Sequence, residues 1–241
     1  MDQAGLRQLE DQCIQEYAPA CMATCPARVD ARAICAEIAK GDFSAGLKIY
    51  RKAVPFPGII SRICDEPCRN ACIRKDAGEA IAIAELERAC ADHGGTPEKP
   101  AVLPHRDKRL AVIGSGLCGL TAAYDMARKG YQVTVFEKAD HIGGSILLIP
   151  DSILPLDIVN VDFAFLSEIG IQIELNSPVE KITPIEENLF RLKNKTFDAV
   201  FIGIGMDNSA YYDLEKNAGA IVIDPVTYAT SIAGIFSGGG A

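Results

Sequence analysis

The 241-residue sequence contains no tryptophan, few aromatic residues (7%) and three histidines. It also lacks a basic excess: 24 Lys and Arg stand against 32 Asp and Glu, a formal net charge of −8. No long basic run interrupts that balance. Nucleic-acid binding rests on clustered cations, so no nucleic-acid partner is expected. No uninterrupted apolar run approaches the ~18 residues of a membrane helix, so no membrane span is expected either. Residues 1–13 lack the apolar core of a secretory signal, which points to a cytoplasmic location. Neither an internal repeat nor a low-complexity tract is present. The remaining composition, 49% hydrophobic and 23% charged, is that of an ordinary globular protein long enough for two domains.

Cysteine, by contrast, is plentiful and unevenly placed. Seven of the nine (13, 21, 25, 35, 64, 68 and 72) fall in the first 72 residues, and only Cys90 and Cys118 follow. In a chain without a signal, such a cluster reads as metal ligation rather than disulfides. Cys21-x3-Cys25-Pro26 and Cys64-x3-Cys68-x3-Cys72 suit iron–sulfur clusters, whose four-iron cube takes thiolates from several directions. Zinc is the main alternative, because four-cysteine zinc sites also use short spacings. The Cys-x2-Cys knuckle usual in zinc sites is missing, however, and His93, His105 and His141 lie outside the cysteine region. Cys35, on the apolar face of a helix, and Cys90, near a helix end, read as packing residues.

The most informative stretch runs from Lys108 to Lys138. An apolar strand (Leu110 to Ile113) leads into Gly114-Ser115-Gly116-Leu117-Cys118-Gly119. A helix pattern with Leu120, Ala123, Tyr124 and Ala127 on one side follows and stops at Gly130. A second strand, Gln132 to Phe136, ends on Glu137 and Lys138. This is the β-α-β dinucleotide fingerprint. Gly114 permits the tight turn, Gly116 lets the backbone approach a pyrophosphate, and Gly119 lets the helix pack closely on the strand. The helix N-terminus offers N–H groups and a positive dipole end to phosphates. Glu137 is placed to accept hydrogen bonds from a ribose.

Before this stretch the pattern is helix and loop. A short helix is expected over residues 3–16, leading to Cys13. Asp30 caps a helix ending near Gly41, Asp42 caps another, Pro55 to Gly58 break the chain, and a last helix spans 79–92. A joint rich in Pro, Gly and charge, His93 to Pro100, precedes the fingerprint. After it come a helix from Leu156 to Ile169, strands at 171–175, 190–193 and 197–205, and a glycine-rich end. The expected fold is therefore α plus α/β: a helical Cys-rich domain over 1–100 followed by a Rossmann-like domain over 105–241.

The residues Cys21 to Arg74 and Ala80 to Asp92 resemble the N-terminal cluster domain of the glutamate synthase small subunit and of dihydropyrimidine dehydrogenase. Those proteins join an iron–sulfur domain to an FAD domain. The resemblance implies one 4Fe-4S cluster on Cys25, Cys64, Cys68 and Glu87. It implies a second on Cys13, Cys21 and Cys72, with Glu16 where the closest pattern has a cysteine; a single cluster on Cys25, Cys64, Cys68 and Cys72 is the simpler arrangement. In the back half, Gly143 and Gly144 are similar to the Gly-Gly segment after the ribose-binding acid. Gly203 and Gly205 end the strand that passes close to the dinucleotide, and Gly239 lies in what looks like the final FAD strand. The acid expected after that pair is Gly240, and the chain stops at Ala241. Only 28 residues separate Gly205 from Gly234, too few for an NAD(P)H domain, and no second GxGxxG exists.

These features imply an electron-transfer subunit carrying FAD and one or two 4Fe-4S clusters, partnered by other subunits of an oxidoreductase. NAD(P)H would act only through another domain or chain, and no residue reads as a general acid or base. The alternatives are a protein like the NADPH-dependent glutamate synthase small subunit, an adaptor with a degenerate flavin site, and a zinc-containing regulatory module.

Overall fold

Asp30 and Asp42 start the first long helices as short polar side chains do, by accepting a backbone N–H of the opening turn. Asp30 accepts from Ala33 N at 3.0 Å and Asp42 from Ala45 N at 2.8 Å. The computed structural model describes residues 3–5, 7–8, 19–96, 98–205 and 212–240, and its contacts divide the chain into two units. The first is Met1–Glu98 with Asp151–Phe163, and the second Lys99–Pro150 with Ala164–Ala241. Cys13 and Glu16 lie outside the described residues, as does most of the helix expected around them.

The first unit is helical. Its elements are α1 (Ala20–Thr24), α2 (Ala31–Ala39), α3 (Phe43–Ala53), α4 (Pro57–Ile63), α5 (Pro67–Asn70), a 3-10 turn (Ile73–Ala77) and α6 (Ile83–His93). Gly41, at φ +79°, closes α2 in the left-handed conformation that glycine adopts without strain. One apolar cluster joins Val29, Ile34, Leu47, Tyr50, Val54 and Cys90. Cys90 Sγ sits where a Cβ on Gly46 would stand 2.5 Å away, so α6 and α3 close over a bare glycine. A second cluster joins Ala31, Cys68 and Ile83, with Cys21 and Ile81 against it.

The Pro55–Gly58 break proves to be the start of α4. Pro57 occupies its first turn, where a missing N–H costs nothing, but Phe56 supplies no side-chain cap. The cap comes from far along the chain. α7 (Leu156–Phe163) packs on α4 in this unit, Phe163 meets Phe56 edge-on at 5.2 Å, and Asp162 accepts from Ile59 N at 2.8 Å. That satisfaction of a helix N-terminus gathers residues 156–163 with the first unit, and the helix expected over 156–169 is interrupted at Ala164.

Burial pushes the Asp162 carboxyl up to about 6, against the pull of the Ile59 and Gly58 N–H groups and of Arg51 and Arg62. The folded state thus holds this proton more tightly than the unfolded chain. Stability should fall by up to about 3 kcal/mol as pH rises from about 4 to about 6. Asp162→Asn should flatten that part of the profile, as urea unfolding across the range would show.

The second unit is built on a five-stranded parallel sheet. Its strands are β1 (Arg109–Ile113), β2 (Gln132–Phe136), β3 (Gln172–Glu174), β7 (Ala199–Ile202) and β10 (Ile235–Ser237), in the order β10-β7-β1-β2-β3. Register sets Ala111 beside Val200 and Ile113 beside Ile202 and Phe136. Alternation then turns these residues to one face, where they pack with Phe190, Leu192 and Phe197. Those three belong to an antiparallel meander of β4 (Thr183–Glu186), β5 (Leu189–Leu192) and β6 (Lys195–Phe197). The helix α8 (Leu117–Arg128) packs on β1 and β2 through Leu120, Ala123, Tyr124 and Ala127. A 3-10 turn (Gly144–Leu148), a helical turn α9 (Phe165–Glu168) and a two-residue hairpin of β8 (Lys216–Asn217) and β9 (Ala220–Ile221) complete the unit. No helix among the described residues is long and apolar enough to cross a membrane.

Candidate functional site

β1 leads to β2 on one side and is flanked by β7 on the other, so the sheet order reverses beside it. Ligands of open parallel sheets bind outside the carboxyl ends of the strands at such a reversal. A cleft of about 870 Å³ opens there. Gly114, Ser115, Gly116, Leu117 and Cys118 line it from the loop after β1, and Glu137 and Lys138 from the end of β2. Gly144 contributes from the next loop, Gly203 and Gly205 from the end of β7, and Gly239 from the end of β10. Gly119 stands behind the cleft. Gly143 is tied in by a parallel bridge to Gly116, and its N–H donates to Ser115 O at 2.9 Å.

The three fingerprint glycines differ physically. A Cβ on Gly119 would lie 2.1 Å from Gly114 O, and one on Gly114 2.5 Å from Gly203 O with φ at +95°. Both are required by the protein's own packing. Gly116 has ordinary extended backbone, and its Cβ would meet only Gly203 O at 4.0 Å. Nothing in the chain demands glycine there; the open space lies on the cleft side, next to the free first-turn N–H groups of α8. That cradle fits a pyrophosphate.

Glu137 is nearly buried and engaged with the loop. Its Oε2 accepts from Ser115 N at 2.8 Å and Ser115 Oγ at 2.6 Å, and its Oε1 accepts from Ala139 N at 2.9 Å. Burial alone would raise this carboxyl, but those bonds hold it below its ordinary value. The Lys138 N–H also acts on this carboxylate, so its roughly four acceptor positions are largely engaged in fixing the loop. Ser115→Ala should cost about 1 kcal/mol in thermal unfolding and loosen the loop.

In the first unit, four acidic side chains share one region. Cys64 follows α4, Cys68 lies on α5, Cys25 follows α1, and Glu87 projects from α6. Burial raises Cys68 to about 11, and Glu87, Cys64, Cys25 and Cys21 add to that rise. Cys64 is raised by burial, then by Glu87 and Cys25, although its sulfur accepts Glu66 N–H at 3.4 Å. Burial lifts Glu87 to about 7. Tyr50 Oη is buried beside Glu87 and pulls that carboxyl part of the way back down. No cation figures among the principal influences on Cys64, Cys68 or Glu87. Potential anions gathered in this way are costly unless they stay protonated, pair with a cation or bind metal.

No disulfide joins any two described cysteines. Among the described residues, no three His, Cys, Asp or Glu side chains converge tightly enough for a single metal ion. A zinc ion would need its sulfurs about 2.3 Å away, whereas a four-iron cube receives ligands at separate corners. The donor set, three thiols and a carboxylate spread around one partly buried region with Cys68 and Glu87 buried and Cys64 exposed, fits the larger group.

Cys72, at the end of α5, is buried, and Cys21, on α1, is half-buried. Cys90 lies in the apolar core. Cys35 is half-buried on α2; burial raises its thiol most, and Cys21, Glu87 and Cys72 add to that rise. The register of the Asp30-capped helix was the available signal, since it puts Ala31 and Cys35 on one face.

Residues 3–98 match the family described as dihydropyrimidine dehydrogenase domain II, 4Fe-4S cluster, and residues 112–163 match the NAD(P)-binding Rossmann-like domain. The chain is 32% identical over 204 residues to the NADPH-Fe(3+) oxidoreductase subunit beta of Geobacter sulfurreducens, covering 81% of this chain and 29% of that one. It is 32% identical over 215 residues to the NADP(+)-dependent formate dehydrogenase subunit beta of Moorella thermoacetica, covering 79% and 30%. Against the NAD-dependent dihydropyrimidine dehydrogenase subunit PreT of Escherichia coli O157:H7 the identity is 24%, covering 83% and 48%. The chain thus spans less than half the length of each of these relatives.

Proposed function

We propose that this chain is the electron-transfer part of a larger oxidoreductase, a reading supported by the match of residues 3–98 to the dihydropyrimidine dehydrogenase domain II 4Fe-4S family model and of residues 112–163 to the NAD(P)-binding Rossmann-like model. In this reading it carries a 4Fe-4S domain and an FAD site, works in the cytoplasm beside other subunits, and meets NAD(P)H only through another domain or chain. The observation that carries the reading is the gathering of Cys25, Cys64, Cys68 and Glu87 in one region, where Glu87 and Cys25 each act on both Cys64 and Cys68.

Cys25, Cys64, Cys68 and Glu87 would hold one cluster, and Cys13, Cys21 and Cys72 would serve a second. The Glu66 N–H on Cys64 Sγ is the kind of backbone bond that tunes a ligand sulfur. In the second unit, Gly116 and the α8 N-terminus would receive the FAD pyrophosphate, and Glu137 the ribose. Gly203, Gly205 and Gly239 would let the backbone pass close to the cofactor. When bound, the clusters supply one-electron chemistry and the flavin both one- and two-electron chemistry. The residues supply placement, exclusion of water and hydrogen bonds to sulfur; none acts as an acid or base on substrate.

The test is an inventory of iron, sulfide, zinc and flavin on the full chain reconstituted anaerobically with iron, sulfide and FAD. About four or about eight irons and about one flavin are expected. Iron without flavin would contradict the FAD assignment, and zinc without iron would contradict the whole reading.

A further inference from the structure

Of the seven cysteines in the first 72 residues, the clusters described above leave out Cys35. It sits on α2 four residues after Ala31, and residues four apart stack on one helix face about 5–6 Å apart. Ala31 is buried against Cys68 and Ile83, with Cys21 packed on the same cluster. The Cα–Cβ bond of a helical residue leans toward the helix N-terminus, which carries the Cys35 sulfur toward the level of Ala31. Ile34 and Ile38 pack instead on the neighbouring apolar cluster, so Cys35 marks the edge where the core ends and the thiol region begins. α1, which carries Cys21, packs on α5, and Cys72 follows α5 at the start of the 3-10 turn.

We propose that Cys35 is a thiolate ligand of a second iron–sulfur cluster, shared with Cys21 and Cys72. This rests on the 4Fe-4S reading above and adds a ligand to it. Cys21, Glu87 and Cys72 all lie near enough to Cys35 to act on its thiol. A sulfur donor here is chemically better matched to iron–sulfur chemistry than the carboxylate of Glu16, because thiolate is the soft ligand such clusters select. Each thiol releases its proton as its sulfur binds iron, so no oxidant or reductant is required.

The test compares the wild-type chain with Cys35→Ala and, as a control, Cys90→Ala, each reconstituted anaerobically with iron and sulfide alone. Alanine cannot ligate metal and suits a helix interior, and circular dichroism verifies folding. Wild type should hold about eight irons per chain and Cys35→Ala about four, while Cys90→Ala keeps the wild-type count. Further loss of the remaining four irons in the double variant Cys35→Ala, Cys64→Ala would show that the surviving cluster is the other one. If wild type holds about eight irons and Cys35→Ala holds the same, the inference is overturned and the 4Fe-4S reading stands. A wild-type count of about four overturns it too, because no second cluster then exists. No iron in wild type would bring down the 4Fe-4S reading and this inference with it. If Cys35→Ala fails to fold, Cys35→Ser decides: an unchanged iron count and absorbance spectrum overturns the inference, and a shifted spectrum supports it.

Discussion

Gly116→Val should leave the chain folded and weaken FAD binding about a hundredfold or more, equivalent to about 3 kcal/mol. The backbone at this position is extended, at φ −67° and ψ 171°, which any residue adopts, and a Cβ would find no atom nearer than Gly203 O at 4.0 Å. The added side chain would therefore occupy the cleft and hold a pyrophosphate away from the α8 N–H groups. Gly119→Ala should do the reverse. Its Cβ would collide with Gly114 O at 2.1 Å, so the unit should lose about 3 kcal/mol or more of stability by overpacking. Thermal melts with and without FAD, beside a fluorescence titration, separate the two. Equal loss of stability in both variants would contradict the assignment of Gly116 to ligand approach.

Cys68→Ala should abolish the cluster assigned to Cys25, Cys64, Cys68 and Glu87, a loss of about four irons per chain. Cys68 is the most central of these thiols: it is buried, it packs on Ala31 and Ile83, and Glu87, Cys64, Cys25 and Cys21 all act on it. In the apo chain the same change should be mild, because it removes one small sulfur from among neighbours that raise each other's pKa. The large effect thus appears only with iron present. An iron assay beside a melt of the apo chain checks both parts. Unchanged iron in Cys68→Ala would remove this residue from the ligand set.

The β-α-β fingerprint was legible in the sequence because each part has a local cause: short, mostly apolar runs for β1 and β2, a glycine turn between, and Leu120, Ala123, Tyr124 and Ala127 at helical spacing. The Asp30 and Asp42 caps were equally local. The meander of β4 to β6 was legible only at 190–193, since its strands are three or four residues long and turn at Asn188 and Lys193, non-glycine residues in left-handed conformation. The interruption near Ala164 was hidden because it depends on Asp162 reaching Ile59, 103 residues away. A contact at that separation leaves no periodic trace. The engagement of Glu137 with Ser115 was hidden for a related reason: an acid at the end of β2 has the same spacing whether it faces a ribose or its own loop. The spacing of Cys21, Cys25, Cys64, Cys68 and Cys72 marked the thiol region, but not which of them share a face. That required the register of α2, which also brings in Cys35.

The account rests on one chain carrying both an iron–sulfur centre and a flavin. An anaerobic reductive titration of the reconstituted full chain, followed by absorbance near ~400 nm and in the flavin band, tests this most directly. The expected uptake is about three electrons per chain or more, two at the flavin and at least one at a cluster, with both absorbances bleaching. Uptake of about two electrons with no loss of cluster absorbance, or no uptake at all, would contradict it.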